Sequence, residues 1–274
     1  MSKGDFMRRM TMAALGAALS VTLATATPAL ADFDTGWTAY ERGDFATALK
    51  EWQPLAERGD RRAQFNLGVL YDQGKGVNRS DKLAAEWWQK AALNGSVLAQ
   101  HNLGQSYIAG DGVPQDMAMA ASWLQRAAVG GHAPAQYTLG KLHAYGMGVA
   151  RSEAEALRWY VLSAERGNER AQYNLGKSYR DGSGAPKDLA EAAKWFRRAA
   201  DAGYAKGQSA LGQRYLKGEG VEKNLGEALY WTALAEAQDL DRAEEDRAEI
   251  KAQMAAADIE AVRKRLAERG VTLK

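Results

Sequence analysis

The stretch "LYDQGKGV", Leu70 to Val77, sets an apolar run against Gly-Lys-Gly. Alone, it fits a phosphate-cradling loop; inside a repeat, it fits a helix stop followed by a turn. The choice decides the fold, because a phosphate loop needs a strand before it and a helix behind. The remainder of the chain answers. Leu67-Gly68 returns as Leu103-Gly104, Leu139-Gly140, Leu175-Gly176 and Leu211-Gly212, each 36 residues on. The loop glycines keep the same step, as Gly74, Gly110, Gly146, Gly182 and Gly218, with Gly76, Gly112, Gly148, Gly184 and Gly220 beside them. Five copies in strict register mean a solenoid of stacked supersecondary units. At the Lys75 position the other copies carry Asp111, Met147, Ser183 and Glu219, so no cation is kept for a phosphate. The glycines are mechanical.

Each unit reads as two helices. In copy one the first is "RRAQFNLGVLYDQ", with Ala63, Leu67, Leu70 and Tyr71 on one face. Asp60, Ser96 and Asn168 stand before it in three copies, residue types that accept bonds from the first free N–H groups. The second helix follows Ser80, Asp116, Ser152, Asp188 or Asn224, all N-cap formers. Glu155, Glu191 and Glu227 come three residues after the last three of these, which predicts a capping box. Ala84, Trp87, Trp88, Ala91 and Ala92 make a wide apolar stripe, and Gly95, Gly131, Gly167 and Gly203 are placed to end the helix left-handed. The column Trp87, Trp123, Trp159, Trp195, Trp231 is read as core, each side chain contributing about 2–3 kcal/mol by burial.

The pattern A-Q-x-x-L-G-x-x-Y-x-x-G-x-G-V … A-x-x-W-x-x-x-A-A-x-x-G resembles the Sel-one-like repeat, a longer-looped relative of the tetratricopeptide repeat. Departures are local: His143 for the tyrosine, Ala185 for the valine, Gly207 for the alanine. The resemblance implies an all-α, right-handed superhelical α/α solenoid of about fourteen helices without strands. Five repeats are expected over residues 61–240, a tetratricopeptide-like hairpin over 32–60, and two amphipathic capping helices over 241–274. Polar outer faces on terminal units keep a solenoid soluble.

Residues 1–31 read as a secretory signal peptide. Lys3, Arg8 and Arg9 precede the apolar "TMAALGAALSVTLATA", and "PALA" offers small residues for cleavage between Ala31 and Asp32. The residues around Arg8-Arg9 fit the twin-arginine pattern poorly, so ordinary export to the periplasm or beyond is expected. The leader holds three cations and one anion, which accounts for the whole formal charge of +2. The remainder is neutral, with no bulk field for nucleic acid or anionic lipid, and no later segment is apolar enough to span a bilayer. There is no cysteine, so there can be no disulfide, no thiolate chemistry and no lipid anchor at the cleavage site.

Catalysis has little to work with. A nucleophile needs an activating partner, and only His101, His132 and His143 are available. A zinc site would require these three to converge from different repeat faces, and none is expected. Some similar repeat proteins have been discussed in connection with β-lactams, yet no lysine here has a serine three residues before it, as a Ser-x-x-Lys enzyme requires. The disulfide-rich members of the family carry cysteines absent here. No enzyme activity and no cofactor or metal are expected.

Function is sought where the copies disagree. Along the first helices one column reads Phe65, His101, Tyr137, Tyr173, Ser209, and four residues on, Val69, Gln105, Lys141, Lys177, Gln213. Flanking columns contribute Arg170, Lys206 and Arg180. The expectation is a partner-binding groove made by Phe65, His101, Tyr137, Lys141, Arg170, Tyr173, Lys177, Arg180 and Lys206. In related tetratricopeptide repeats such positions hold peptides, and basic-and-aromatic groups suit an acidic segment. The resemblance implies a monomeric, non-enzymatic scaffold for another envelope protein, in the manner of exported members that regulate sensor kinases or assist polysaccharide export. A glycan or peptidoglycan binder, with Tyr137 and Tyr173 stacking on sugars, or a β-lactam-interacting envelope enzyme, is the alternative.

Overall fold

The computed structural model describes residues 31–240 and 243–273. The expected leader therefore lies, except for Ala31, outside the described residues. Among the described residues there are fourteen helices and no strand. Helices α1 (Phe33–Glu41) and α2 (Phe45–Glu57) form the opening hairpin. The first helices of the five copies are α3 (Arg61–Gln73), α5 (Val97–Ala109), α7 (Ala133–Tyr145), α9 (Glu169–Asp181) and α11 (Ala205–Lys217). The second helices are α4 (Asp81–Leu93), α6 (Met117–Val129), α8 (Glu153–Glu165), α10 (Leu189–Asp201) and α12 (Leu225–Glu236). Each packs chiefly on its neighbours in sequence, which makes an α/α solenoid. Helices α13 (Ala243–Lys251) and α14 (Ala256–Ala267) cover the exposed side of α12 with Ile250, Val262 and Leu266.

Local sequence explains each helix end. Ser80, Asp116, Ser152, Asp188 and Asn224 all accept a bond from a first-turn N–H, as do Asp60, Ser96 and Asn168. The reciprocal half of the capping box does not form. The N–H groups of Ser152, Asp188 and Asn224 donate instead to the carbonyls of His143, Tyr179 and Tyr215, at 2.8–3.0 Å. With that donor consumed, Glu155 and Glu191 turn to Arg158 and Lys194, and Glu227 takes Trp231 Nε1 and Arg265. The main chain outcompetes the side chain because the long loop folds back onto its own first helix.

The core straddles copy boundaries. One layer combines Ala48, Trp52 and Ala56 of α2, Ala63, Leu67 and Leu70 of α3, and Trp87 of α4. The next repeats the pattern with Ala84, Trp88, Ala91, Ala99, Leu103 and Trp123. All five tryptophans of the column are buried. The glycine of each Leu-Gly pair marks a close approach. A Cβ on Gly176 would lie 2.7 Å from two ring carbons of Phe196, and one on Gly104 2.7 Å from Leu124 Cγ. Gly148, at φ +70°, has its missing Cβ overlapping the Met117 carbonyl, so the loop glycine also brings one copy against the previous second helix.

A buried glutamine locks every inter-unit turn. Gln64, Gln100, Gln136, Gln172 and Gln208 donate to the carbonyls of Ala56, Ala92, Ala128, Ala164 and Ala200, at 3.0–3.4 Å. These carbonyls belong to the last turn of a helix, where each also accepts from the N–H of the glycine three residues on, at 3.0–3.1 Å. Each bond runs from one copy to the element before it, so repeat spacing is enforced by a side chain as well as by packing.

Candidate binding groove

The first helices line one wall, and the cleft between consecutive ones recurs with the same register. It opens between α3 and α5 (about 330 Å³), between α7 and α9 (about 180 Å³), and between α9 and α11 (about 400 Å³). At equivalent places the three are lined by Trp88, Tyr160 and Phe196, rings presented by the second helices. The rim differs. Asp72, Asp81 and Asp111 line the first, with no Lys or Arg. Arg151, Glu153, Lys177 and Asp181 line the second, two of each sign, and Arg180, Lys206, Arg214 and Lys217 the third. The charge of this wall runs from acidic at copies one and two to basic at copies four and five.

The residues expected to form the groove are not all brought to one place. Tyr173, Arg180 and Lys206 share the α9–α11 cleft. Lys177 lines the α7–α9 cleft, and its ammonium lies 5.9 Å from the Tyr173 ring; Lys141 holds the same relation to Tyr137, at 5.9 Å. Arg170 is exposed at the start of α9, 3.9 Å from Glu169. Phe65 packs half-buried against the layer of Trp88, Leu103 and Trp123, just as its column mates Tyr137 and Tyr173 rest against Tyr160 at 6.2 Å and Phe196 at 5.8 Å. Burial raises the pKa of Tyr137 and Tyr173, so both stay neutral hydroxyls at ordinary pH. Arg180 is already engaged, donating from Nε and Nη2 to Asp181 at 2.6 and 2.7 Å. That bond raises the arginine's pKa and lowers the aspartate's.

Two of the three histidines come together after all. The rings of His101, on α5, and His132, in the turn before α7, lie 4.6 Å apart, while His143 sits near the far end of α7. Burial lowers the pKa of both, and His101 lowers that of His132 further. His101 Nδ1 meets Asn102 Oδ1 at 3.3 Å and Nε2 meets the Gln105 amide at 3.1 Å. Among the described residues no group of three or more His, Cys, Asp or Glu could hold a metal ion.

Arg214, Lys217 and Tyr204 lie outside the four variable columns of the first helices. Tyr204 stacks edge-on to Tyr173 at 5.6 Å. Arg214 occupies the place held by Leu70, Ser106, Leu142 and Ser178 in the other copies. It is 8% exposed, its pKa pulled down by burial and partly restored by its ion pair with Glu219, and its Nε has no hydrogen-bond partner. An arginine in a core column was a signal available to the same rule of looking where copies disagree.

A stack of paired helices, each packed chiefly on its neighbours in sequence, is an α/α solenoid. The chain belongs to the Sel1 repeat family: the family pattern matches five times, at residues 61–96, 97–132, 133–168, 169–204 and 205–240. A Sel1 repeat protein from Oxalobacter formigenes is 33% identical over 75% of this chain and 85% of its own, with a TM-score of 0.72. A protective antigen of uropathogenic Escherichia coli with an SLR fold is 26% identical over 84% of this chain and 66% of its own (TM-score 0.36). A Sel1 repeat protein from Klebsiella pneumoniae is 26% identical over 73% and 98% (TM-score 0.45). The curated proteins contain no match. Sel1 repeat proteins mediate protein–protein interactions, and the solenoid is typically a non-enzymatic scaffold. No helix of the described residues is long and apolar enough to cross a membrane.

Proposed function

We propose that this chain is an exported, non-enzymatic scaffold that docks an acidic segment of another envelope protein along the first-helix wall of copies three to five. The observation that carries the reading is the accumulation of Lys141, Lys177, Lys206, Lys217 and Arg214 beside Tyr137, Tyr173 and Tyr204, on a chain whose charge is otherwise balanced. Aromatic faces supply contact area at low entropic cost, and the cations supply steering and register. The signal-like leader supports a location in or beyond the periplasm. Regulation of envelope signalling and assistance to polysaccharide export are the two roles this scaffold suits.

A photo-crosslinking amino acid at Gln213, on the groove, against one at Glu86, exposed on α4, tests this in cells carrying the full chain. The groove position should give a discrete crosslinked protein that disappears in the triple variant Lys141→Glu/Lys177→Glu/Lys206→Glu, while the α4 position gives none. Crosslinks that survive the triple variant, or sedimentation of the purified protein with cell-wall sacculi, would refute the acidic-segment reading, the latter in favour of glycan binding.

A further inference from the structure

Among the three equivalent clefts, the one between α9 and α11 alone has a charged residue in its floor. Copies one to four place Leu70, Ser106, Leu142 and Ser178 at that position, side chains that cost nothing to bury or that are easily satisfied. Copy five places Arg214, more than nine-tenths buried. A guanidinium cannot shed its charge at any ordinary pH, so burying it needs acceptors for its fork of donors. Glu219 takes Nη1, and Nε has no acceptor. Around this floor stand Lys206 and Lys217, with Ser209 and Gln213 as further polar groups. No carboxylate lines the cleft: Asp181 is bound to Arg180 and Glu219 to Arg214. The α3–α5 cleft has the same build and the opposite lining, with Asp72 and Asp111 in addition to Asp81, which holds Arg79 at 3.1 Å. The cationic character is thus particular to copy five and is no by-product of the repeat.

We propose that the α9–α11 cleft is a carboxylate-binding subsite, with Arg214 as its anchoring residue, that takes Asp or Glu side chains of the partner's segment. It rests on the proposed docking wall and adds where on that wall the acidic group sits. A carboxylate is planar and small enough to reach an arginine through a cleft of about 400 Å³, and it supplies the acceptor the fork lacks. The aspartates at copies one and two exclude the same group there, so the segment lies in one direction, acidic end towards copy five.

The test compares a fluorescein-labelled, C-terminally amidated decapeptide with four consecutive Asp/Glu residues against its Asn/Gln isostere, by anisotropy with the purified protein at low salt. Arg214→Ser is the decisive variant, because serine already occupies this place in copies two and four and the fold accommodates it. The acidic peptide should bind and the isostere should not. Affinity should fall about ten- to a hundredfold in Arg214→Ser, the loss expected for a charged hydrogen bond in a desolvated site. Asp72→Asn should bind as wild type. Absence of binding to wild type, or equal binding to Arg214→Ser, overturns the subsite. Stronger competition by tetragalacturonate than by unlabelled peptide also overturns it, in favour of an anionic glycan. If Tyr173→Ala/Lys141→Ala abolishes binding while Arg214→Ser does not, the subsite fails and the docking wall stands; if neither variant changes it, both fail.

Discussion

Gly176→Ala places the repeat architecture under a direct test. In an ordinary exposed helix the substitution stabilises by about 0.5–1 kcal/mol, because alanine loses less backbone entropy. Here the new methyl would lie 2.7 Å from Cδ1 and Cε1 of Phe196 and 3.2 Å from the Ala192 carbonyl oxygen. The ring is fully buried and the carbonyl is helical backbone, so neither moves without displacing α9 from α10. Overpacking of this kind costs about 1–3 kcal/mol, leaving a net destabilisation of up to about 2.5 kcal/mol. Gly226→Ala in the first turn of α12 is the internal control: its Cβ meets only Asn224 Oδ1 at 3.3 Å and Val262 Cγ2 at 3.9 Å, and it should stabilise or leave stability unchanged. Phe196→Ala alone should cost about 3–5 kcal/mol, and Gly176→Ala should cost nothing further on top of it. Urea denaturation followed by tryptophan fluorescence and circular dichroism measures all four proteins. A Gly176→Ala protein as stable as Gly226→Ala, with unchanged urea dependence, would refute the claim that this column exists for helix contact.

Other substitutions separate expectations that sequence alone leaves equal. Ser152→Ala should cost about 1 kcal/mol in urea denaturation, because Ser152 caps α8, whereas Glu155→Ala should cost almost nothing, because the reciprocal bond is absent. Gln64→Leu should destabilise by about 1–3 kcal/mol, since it strips acceptors or donors from both Ala56 and Asn94; Gln172→Leu should cost less, because its Oε1 is already without a partner. The histidine pair predicts a pH dependence. Both folded-state pKa values lie below the ordinary 6.5, so the unfolded chain binds more protons as pH falls through 6.5. Stability from this pair is complete above 6.5 and declines as pH drops towards the folded-state values. His101→Asn should flatten the change in melting temperature between pH 7.5 and 5.5, and an unchanged slope would show that the pair does not contribute.

Much of the architecture is legible because each determinant is local and repeated five times. The helix ends follow from single residues such as Asp116 or Gly110, and the strict spacing of Trp87, Trp123, Trp159, Trp195 and Trp231 identifies a core without knowledge of its partners. The capping box failed as an expectation because the competing acceptors, such as the Tyr179 carbonyl, become available only once the loop has closed. The groove was legible only as a set of columns. What each member rests on depends on what the next second helix places behind it: Tyr160 behind Tyr137, Phe196 behind Tyr173.

Sequence alone determined the repeat length, the pairing of helices and the face each helix buries, because backbone hydrogen bonding, capping and hydrophobic periodicity act over a few residues. Tertiary structure alone decided which charges meet. Arg265 finds Glu227, His101 finds His132, and Arg214 is left with an unanswered donor at the floor of a cleft. Such pairings join helices that are distant in sequence, and the approach of those helices is set by glycine contacts and glutamine bonds that exist only after the units have stacked.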